Sequence, residues 1–387
     1  MDNQVFIVRC PTYEQADQKI AELMTMMNGM SNFTKPNEKI VLKINLLQPA
    51  KPEKAVTTHP SIVAAVAGLV KNEGAIPVIA DSPGAGYKYN KKSLEKIYNI
   101  SGIYKTAQKT DIELNFDTTF ETVSFPQGKL IKRFEVINPV LKADGVFNLC
   151  KLKTHLFMHM TGAVKNNFGV IPGLLKPGYH AKLHDTGHFA NMLLDLMEYV
   201  SPRVSIMDAV IGMEGEGPGA AGEPRHIGLL LASKNPLALD IVAGEIIGLN
   251  RENNPVLIAA EKRGLHPNSI QEVQVIGPDI SDLLIPDYKF PATIFKGTGI
   301  GNTSWWQKAL EPLFKNSFSV RPRIIEKNCT ACGACFESCP MNVIKIIEDK
   351  YAHIDEKGCI RCYCCHEMCP NNAIELRKKL LYRILSN

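Results

Sequence analysis

No stretch of this 387-residue sequence is apolar for long enough to span a bilayer; the nearest, Ile62 to Val70, is bounded by Pro60 and Lys71. Met1-Asp2-Asn3-Gln4 has neither the basic region nor the apolar stretch of a secretory leader. The expectation is a cytoplasmic protein without integral membrane contact. Tryptophan is scarce, at 2 residues, and cysteine is nearly missing upstream of position 329, where only Cys10 and Cys150 occur. A disulfide framework needs an oxidising compartment, and nothing in the sequence points to one.

The composition that remains is that of a globular protein, 45% hydrophobic and 21% charged. The length exceeds what one hydrophobic core organises, so two domains are expected. The net charge of +5 is mild and gives no expectation of nucleic acid. It is also uneven. Between Cys329 and Leu376 seven acidic side chains face four basic ones, a balance of −3 that leaves +8 for the rest of the chain. An acidic C-terminal module could therefore dock on a basic body, since complementary fields favour association.

Nine of the 11 cysteines lie between Cys329 and Cys369. They form two runs, Cys329-x2-Cys332-x2-Cys335-x3-Cys339-Pro340 and Cys359-x2-Cys362-x2-Cys365-x3-Cys369-Pro370. Three cysteines at intervals of three wrap one iron–sulfur cubane, and the fourth, before proline, reaches the other cluster. The expected ligands are Cys329, Cys332, Cys335 and Cys369 for one [4Fe-4S] cluster, and Cys359, Cys362, Cys365 and Cys339 for a second. Zinc sites show paired Cys-x2-Cys units instead. Cys364 is a spare, read as a bystander. The match to bacterial-type two-cluster ferredoxins covers about 50 residues.

Upstream, short apolar strands alternate with amphipathic helices. Strands are expected over 39–45, 76–80, 145–150, 204–207 and 227–232; helices over 13–27, 60–71, 237–247 and 255–263. This predicts an α/β fold, a large mostly parallel sheet with helices on both faces, joined to a small C-terminal α+β ferredoxin domain. The expected divisions are 1–302 for the α/β domain, 303–322 for a linker with Trp305 and Trp306, and 323–376 for the ferredoxin domain. A basic amphipathic helix is expected over 373–385, with 377–387 as a separate C-terminal element.

In such folds ligands bind beyond the carboxyl ends of the strands, and polar residues collect there. Lys43 and Asn45 share one face of a strand by its period of two. Asp81-Ser82-Pro83-Gly84-Ala85-Gly86 is a strand running into a glycine loop, able to bring backbone N–H groups to an anion. That loop is neither G-x-G-x-x-G nor a Walker A sequence, and no flavin or nicotinamide fingerprint is evident, which leaves electrons to pass to the substrate directly or through a further cofactor. The stretch 148–173 carries Lys151, Lys153, His155, Lys165 and Asn166 among small residues, the chemistry of an anion site. His155 suits acid–base work near neutrality. Asp208 and Glu214, with glycines around them, are candidate acid–base groups, and Asp240 a candidate partner for a lysine. His180, His184 and His188, four apart, would stack on a helix; substrate contact or loop roles are expected in preference to a metal.

These segments resemble the family of domain of unknown function 362. The resemblance rests on Lys43-Ile44-Asn45, Asp81-Ser82-Pro83-Gly84, Lys151-Leu152-Lys153-Thr154-His155 and Gly162-Ala163-Val164-Lys165-Asn166. Asp208-Ala209-Val210 through Glu214-Gly215-Glu216-Gly217-Pro218, and Pro236-Leu237-Ala238-Leu239-Asp240, complete it across roughly 5–300. It implies one site in the large domain but no reaction. The reading is an oxidoreductase whose two clusters pass electrons to an anionic small molecule, with an electron donor or acceptor protein as partner. Lys43, Asn45, Asp81, Ser82, Lys153 and Asn166 would bind substrate; His155, Lys165, Asp208 and Glu214 would be catalytic. A non-enzymatic electron carrier and a non-redox isomerase or lyase are the alternatives. Oligomeric state is not legible.

Overall fold

The computed structural model describes residues 3–294 and 320–377. The large domain opens with β1 (Gln4–Arg9), α1 (Ala16–Met26), β2 (Lys39–Lys43), α2 (Pro60–Asn72) and β3 (Ile76–Ala80). It continues through α3 (Lys91–Ile100), α4 (Ile103–Thr110), β4 (Glu113–Leu114), the hairpin β5 (Phe120–Ser124) and β6 (Arg133–Ile137), and α5 (Asn138–Leu141). Next come β7 (Gly145–His155), β8 (His159–Thr161), α6 (Ala163–Asn166), α7 (Lys176–Lys182) and α8 (Thr186–Val200). It ends with β9 (Val204–Gly215), β10 (Gly222–Ser233), α9 (Pro236–Ile247), α10 (Pro255–Lys262) and β11 (Gln274–Ile276).

The sheet order is β11-β1-β10-β9-β7-β2-β3-β4, with β8 folded onto β7. The β9-β7-β2-β3-β4 half is parallel throughout, and β10 runs antiparallel to both β9 and β1. β2 reads Lys-Ile-Val-Leu-Lys, the near-continuous apolar run of a strand covered on both faces. Ile40 and Leu42 pack with α1 and α2; Val41 packs with α8 on the other face. Each such side chain contributes about 1.5–3 kcal/mol when fully buried. The helices begin where the sequence stops competing: Pro60, Pro236 and Pro255 open α2, α9 and α10, and Asn235 and Asn254 accept the first free backbone N–H groups.

Three expected strands are longer than the periodicity indicated, β7, β9 and β10. β7 extends to His155, so Lys151, Lys153 and His155 are strand residues. β9 extends to Gly215 and hairpins into β10, so Asp208 and Glu214 lie inside a strand and not in a ligand loop beyond one. Gly217-Pro218-Gly219-Ala220-Ala221-Gly222 has dinucleotide-loop glycine spacing. It joins antiparallel strands, whereas such a loop needs a strand-to-helix turn.

The C-terminal module contains β12 (Arg321–Ile324), α11 (Ala334–Glu337), β13 (Ile344–Ile347), β14 (Tyr351–Ile354), α12 (Cys364–Met368) and β15 (Ile374–Arg377). It is a pair of two-stranded sheets, β12–β15 and β13–β14, around a small core of Ile344, Ile354, Ala373 and Ile374. Residues 374–377 therefore form a strand, not the start of the helix expected over 373–385. Ile374 and Leu376 alternate with Glu375 and Arg377, and pairing with β12 uses that period of two. The same pairing draws residues 321–322 out of the expected linker into the module. Trp305, Trp306 and positions 378–387 lie outside the described residues.

Candidate functional site

At the carboxyl ends of β2, β3 and β7 a cavity of about 60 Å³ opens between the large domain and the module. Asn45, Lys153, Lys165, Asn166, Lys176 and Glu367 line it, with Asp81, Ser82 and His180. Glu367 comes from α12 of the module, inside the second cysteine run. The module is seated by close backbone approach: a side chain at Gly84 or Gly86 would collide with Met368 of α12. The glycines of the 82–86 loop thus make room for a protein helix.

Each lysine is held differently. Lys43 is fully buried, 3.0 Å from Asp81, and donates to the Ile44 carbonyl at 2.7 Å. Burial pushes the Lys43 amine down and the Asp81 carboxyl up, and each charge opposes the shift of the other. Asp81 also accepts from the N–H groups of Leu46 and Ser82, fixing both loops that rim the cavity. Lys153 donates to Asn45 Oδ1 at 2.7 Å and to the Val56 carbonyl at 2.6 Å. Burial, then the neighbouring Lys165 and Lys151, drive its pKa well down. Lys176 is anchored on the Ser82 and Pro83 carbonyls at 2.9 and 2.5 Å, and burial lowers it to about 7.

Lys165 stands apart. It is half-buried, faces the cavity, and among the described residues makes no hydrogen bond or ion pair. Its Nζ lies 5.9 Å above the Phe168 ring. Burial lowers its pKa; the Glu367 charge opposes this. Its position depends on Asp240, whose carboxylate accepts from the N–H groups of Ala163 and Val164 at the start of α6. Asn166, the next residue, bridges Asn45 and Asn148.

His155 lies beside the cavity. Its Nδ1 accepts from the N–H groups of Phe157 and Met158, which leaves the ring proton on Nε2. Burial, reinforced by Lys165, keeps the ring neutral by driving its pKa well down. Nε2 is 3.2 Å from Glu367 Oε1, yet neither atom completes a hydrogen bond. Thr161 Oγ1 and His180 Nδ1, from two further lining residues, are also buried without partners. Among the described residues the pocket therefore holds a lysine without a partner and several unmatched polar atoms, an arrangement that suits a polar ligand.

The structure brings together Asn45, Asp81, Ser82, Lys153, His155, Lys165 and Asn166, with Lys43 behind Asp81. It does not bring in Asp208 or Glu214. Asp208 is paired with Lys151 at 2.7 Å and bonded to Tyr13 and the His59 N–H. Glu214 faces Lys289 and Arg225. Each carboxylate is satisfied by a cation beside it, and neither lines the cavity. The three spaced histidines also diverge: His180 stacks on Phe189 in the core, and His188 is exposed against Asp185. Among the described residues no three His, Cys, Asp or Glu side chains form a single-ion site. Lys176 and Glu367 were missed because nothing in their local sequence marks them.

Within the module, two cavities separate the cysteines. One is lined by Cys329, Cys332, Cys335 and Cys369; the other by Cys339, Cys359, Cys362 and Cys365. Backbone N–H groups of Ala352 and Ala373 point at the sulfurs of Cys329 and Cys369, at 3.4 and 3.1 Å, as donors to thiolates do. Four thiols around each cavity fit a cubane. Cys364 lines neither, packing instead on Ala85 of the large domain.

The sequence pattern of the family described as domain of unknown function DUF362 matches residues 40–245, and that of a 4Fe-4S dicluster domain matches 328–379. A thylakoid-associated protein of Synechocystis sp. is 33% identical over 304 residues, covering 76% of this chain and 89% of that protein. Among solved structures, the lactate racemase apoprotein from Thermoanaerobacterium thermosaccharolyticum aligns at 10% identity and a TM-score of 0.37, over 62% of this chain and 57% of that one. A Thermotoga maritima protein aligns at 12% identity and a TM-score of 0.32, over 56% and 55% of the two chains. The chain thus spans little more than half the length of either structure. No helix among the described residues is long and apolar enough to cross a membrane.

Proposed function

Given that the chain belongs to the DUF362 family and ends in a 4Fe-4S cluster-binding domain, we propose that it is an iron–sulfur oxidoreductase acting on a small anion held in the cavity between the two. Two clusters are inferred, with crossed ligation: Cys329, Cys332, Cys335 and Cys369 for one, Cys359, Cys362, Cys365 and Cys339 for the other. When bound, such clusters supply electrons one at a time. One observation carries the reading. The residues linking ligand Cys365 to ligand Cys369 are also a wall of the cavity, through Glu367.

The chain's own groups divide the remaining work. Lys165, the one lining lysine without a partner among the described residues, supplies the charge that holds the anion. Lys153, fixed by Asn45 and Val56, adds a second nitrogen donor to the wall with no freedom to move away. Asn166 and Asn45 orient the ligand through the amide network they share. His155 holds a proton at Nε2 and presents it as a hydrogen-bond donor from a neutral ring. Most of the lining side chains are buried, and burial strengthens each of these contacts. Cys332 is exposed and marks the edge at which a donor or acceptor protein would meet the module, in the cytoplasm by this reading.

The test is single-turnover oxidation. The anaerobic protein is reduced, freed of reductant, and mixed with a panel of small anions while the visible iron–sulfur absorbance is followed. An anion that reoxidises the wild type should do so on the order of 10- to 100-fold more slowly in Lys165→Met, at unchanged iron content. Equal rates for every active anion would refute the assignment.

A further inference from the structure

The carboxylate of Glu367 is an unusual wall for an anion site. Its residue is 5% exposed, and its Oε1 has no hydrogen-bond partner. Such a group is costly to bury, and its position is not the accident of a flexible tip. It is carried on α12, which is fixed by Met368 against Gly84 and Gly86 and by the Glu367 carbonyl against Gly219. The space left beside it, about 60 Å³, holds only a few non-hydrogen atoms. The site therefore already contains one carboxylate, presented to Lys165, Lys153 and His155 by the chain itself.

We infer that the ligand of this cavity is a small carboxylate and that Glu367 occupies part of its charge position, so that ligand binding and seating of the iron–sulfur module compete. The inference rests on the reading of the cavity as the substrate site and adds its ligand class and its gate. Among the described residues no carboxylate lies within ion-pair distance of Lys165, and Glu367, on the same cavity wall, is the carboxylate whose charge acts on it, so an incoming carboxylate and Glu367 draw on the same cation. Two anions cannot both be neutralised by it in a medium of low dielectric. A ligand that pairs with Lys165 therefore displaces Glu367, and α12 moves with it. Ligand arrival would in this way reach the segment that joins the two sets of cluster ligands.

The test is calorimetric titration of the anaerobic, cluster-loaded protein with acetate, with inorganic phosphate as comparator. Glu367→Gln keeps the volume and removes the charge, so it should bind acetate about tenfold or more tightly than the wild type. The gain should vanish in the double variant Glu367→Gln/Lys165→Met and should be much smaller for phosphate. As a second readout on the unaltered protein, acetate should speed amide hydrogen exchange in residues 364–368. No gain in Glu367→Gln, a gain that survives loss of Lys165, an equal gain for phosphate, or unchanged exchange would each overturn the inference. None of these involves electron transfer. The Lys165 dependence of reoxidation can therefore hold while the gate fails, or fail while the gate holds.

Discussion

At the residue scale, the site is a set of charges held out of water, and each survives by a different device. Lys43 has Asp81, Lys151 has Asp208, Lys176 has two carbonyls, and Lys165 has only the cavity. Buried histidines follow the opposite course and stay neutral. His180, stacked on Phe189, has its pKa lowered to about 3 by burial and then by Lys165. Its imidazole in the unfolded chain protonates near pH ~6.5, whereas the folded one resists. Acidification below that point adds a proton only to the unfolded state, so this residue's contribution falls as pH drops. His180→Phe should flatten the decline in unfolding free energy between pH ~6 and ~4 by about 1.4 kcal/mol per pH unit, the slope of one proton. Denaturant unfolding at several pH values measures this. An unchanged slope would mean that the ring is solvated.

At the element scale, the seat of α12 is the feature on which the site depends. Gly86→Val places a side chain against Met368 and the Ala334 carbonyl. It should leave the clusters loaded, since no cysteine moves, but lift the module from the cavity. Faster hydrogen exchange over 364–368 with unchanged iron content is the expected result; unaltered exchange would show that the seat tolerates the branch. These elements also mark how far the sequence could be read. The strands of the parallel half, the proline-started helices and both cysteine runs carry local signals, in period two, in helix caps and in Cys-x2-Cys spacing, and each was legible. The glycines near 84 and 219 were legible as room for something, but not as room for another part of the same chain. Glu367 reads as filler between Cys365 and Cys369, and Lys176 as one of many exposed lysines. Their burial is set by contacts more than 90 residues away in sequence, beyond any local pattern. Asp208 and Glu214 misled for the same reason, because their cations come from distant strands and loops.

At the scale of the whole molecule, the acidic module and the basic body do meet, but a few buried contacts fix where. Glu367 enters among lysines, Tyr363 packs into the core beside α8, and Cys364 lies on Ala85. The result is a two-part protein whose 4Fe-4S cluster-binding domain forms one wall of a cavity in the large domain. The most direct measurement is anomalous diffraction at the iron edge from anaerobically grown crystals of the full chain. It should show iron in both cysteine-lined cavities, with Cys364 unbound and Glu367 inside the cavity beside Lys165. Iron in one cavity only, or a module turned so that Glu367 faces solvent, would contradict it.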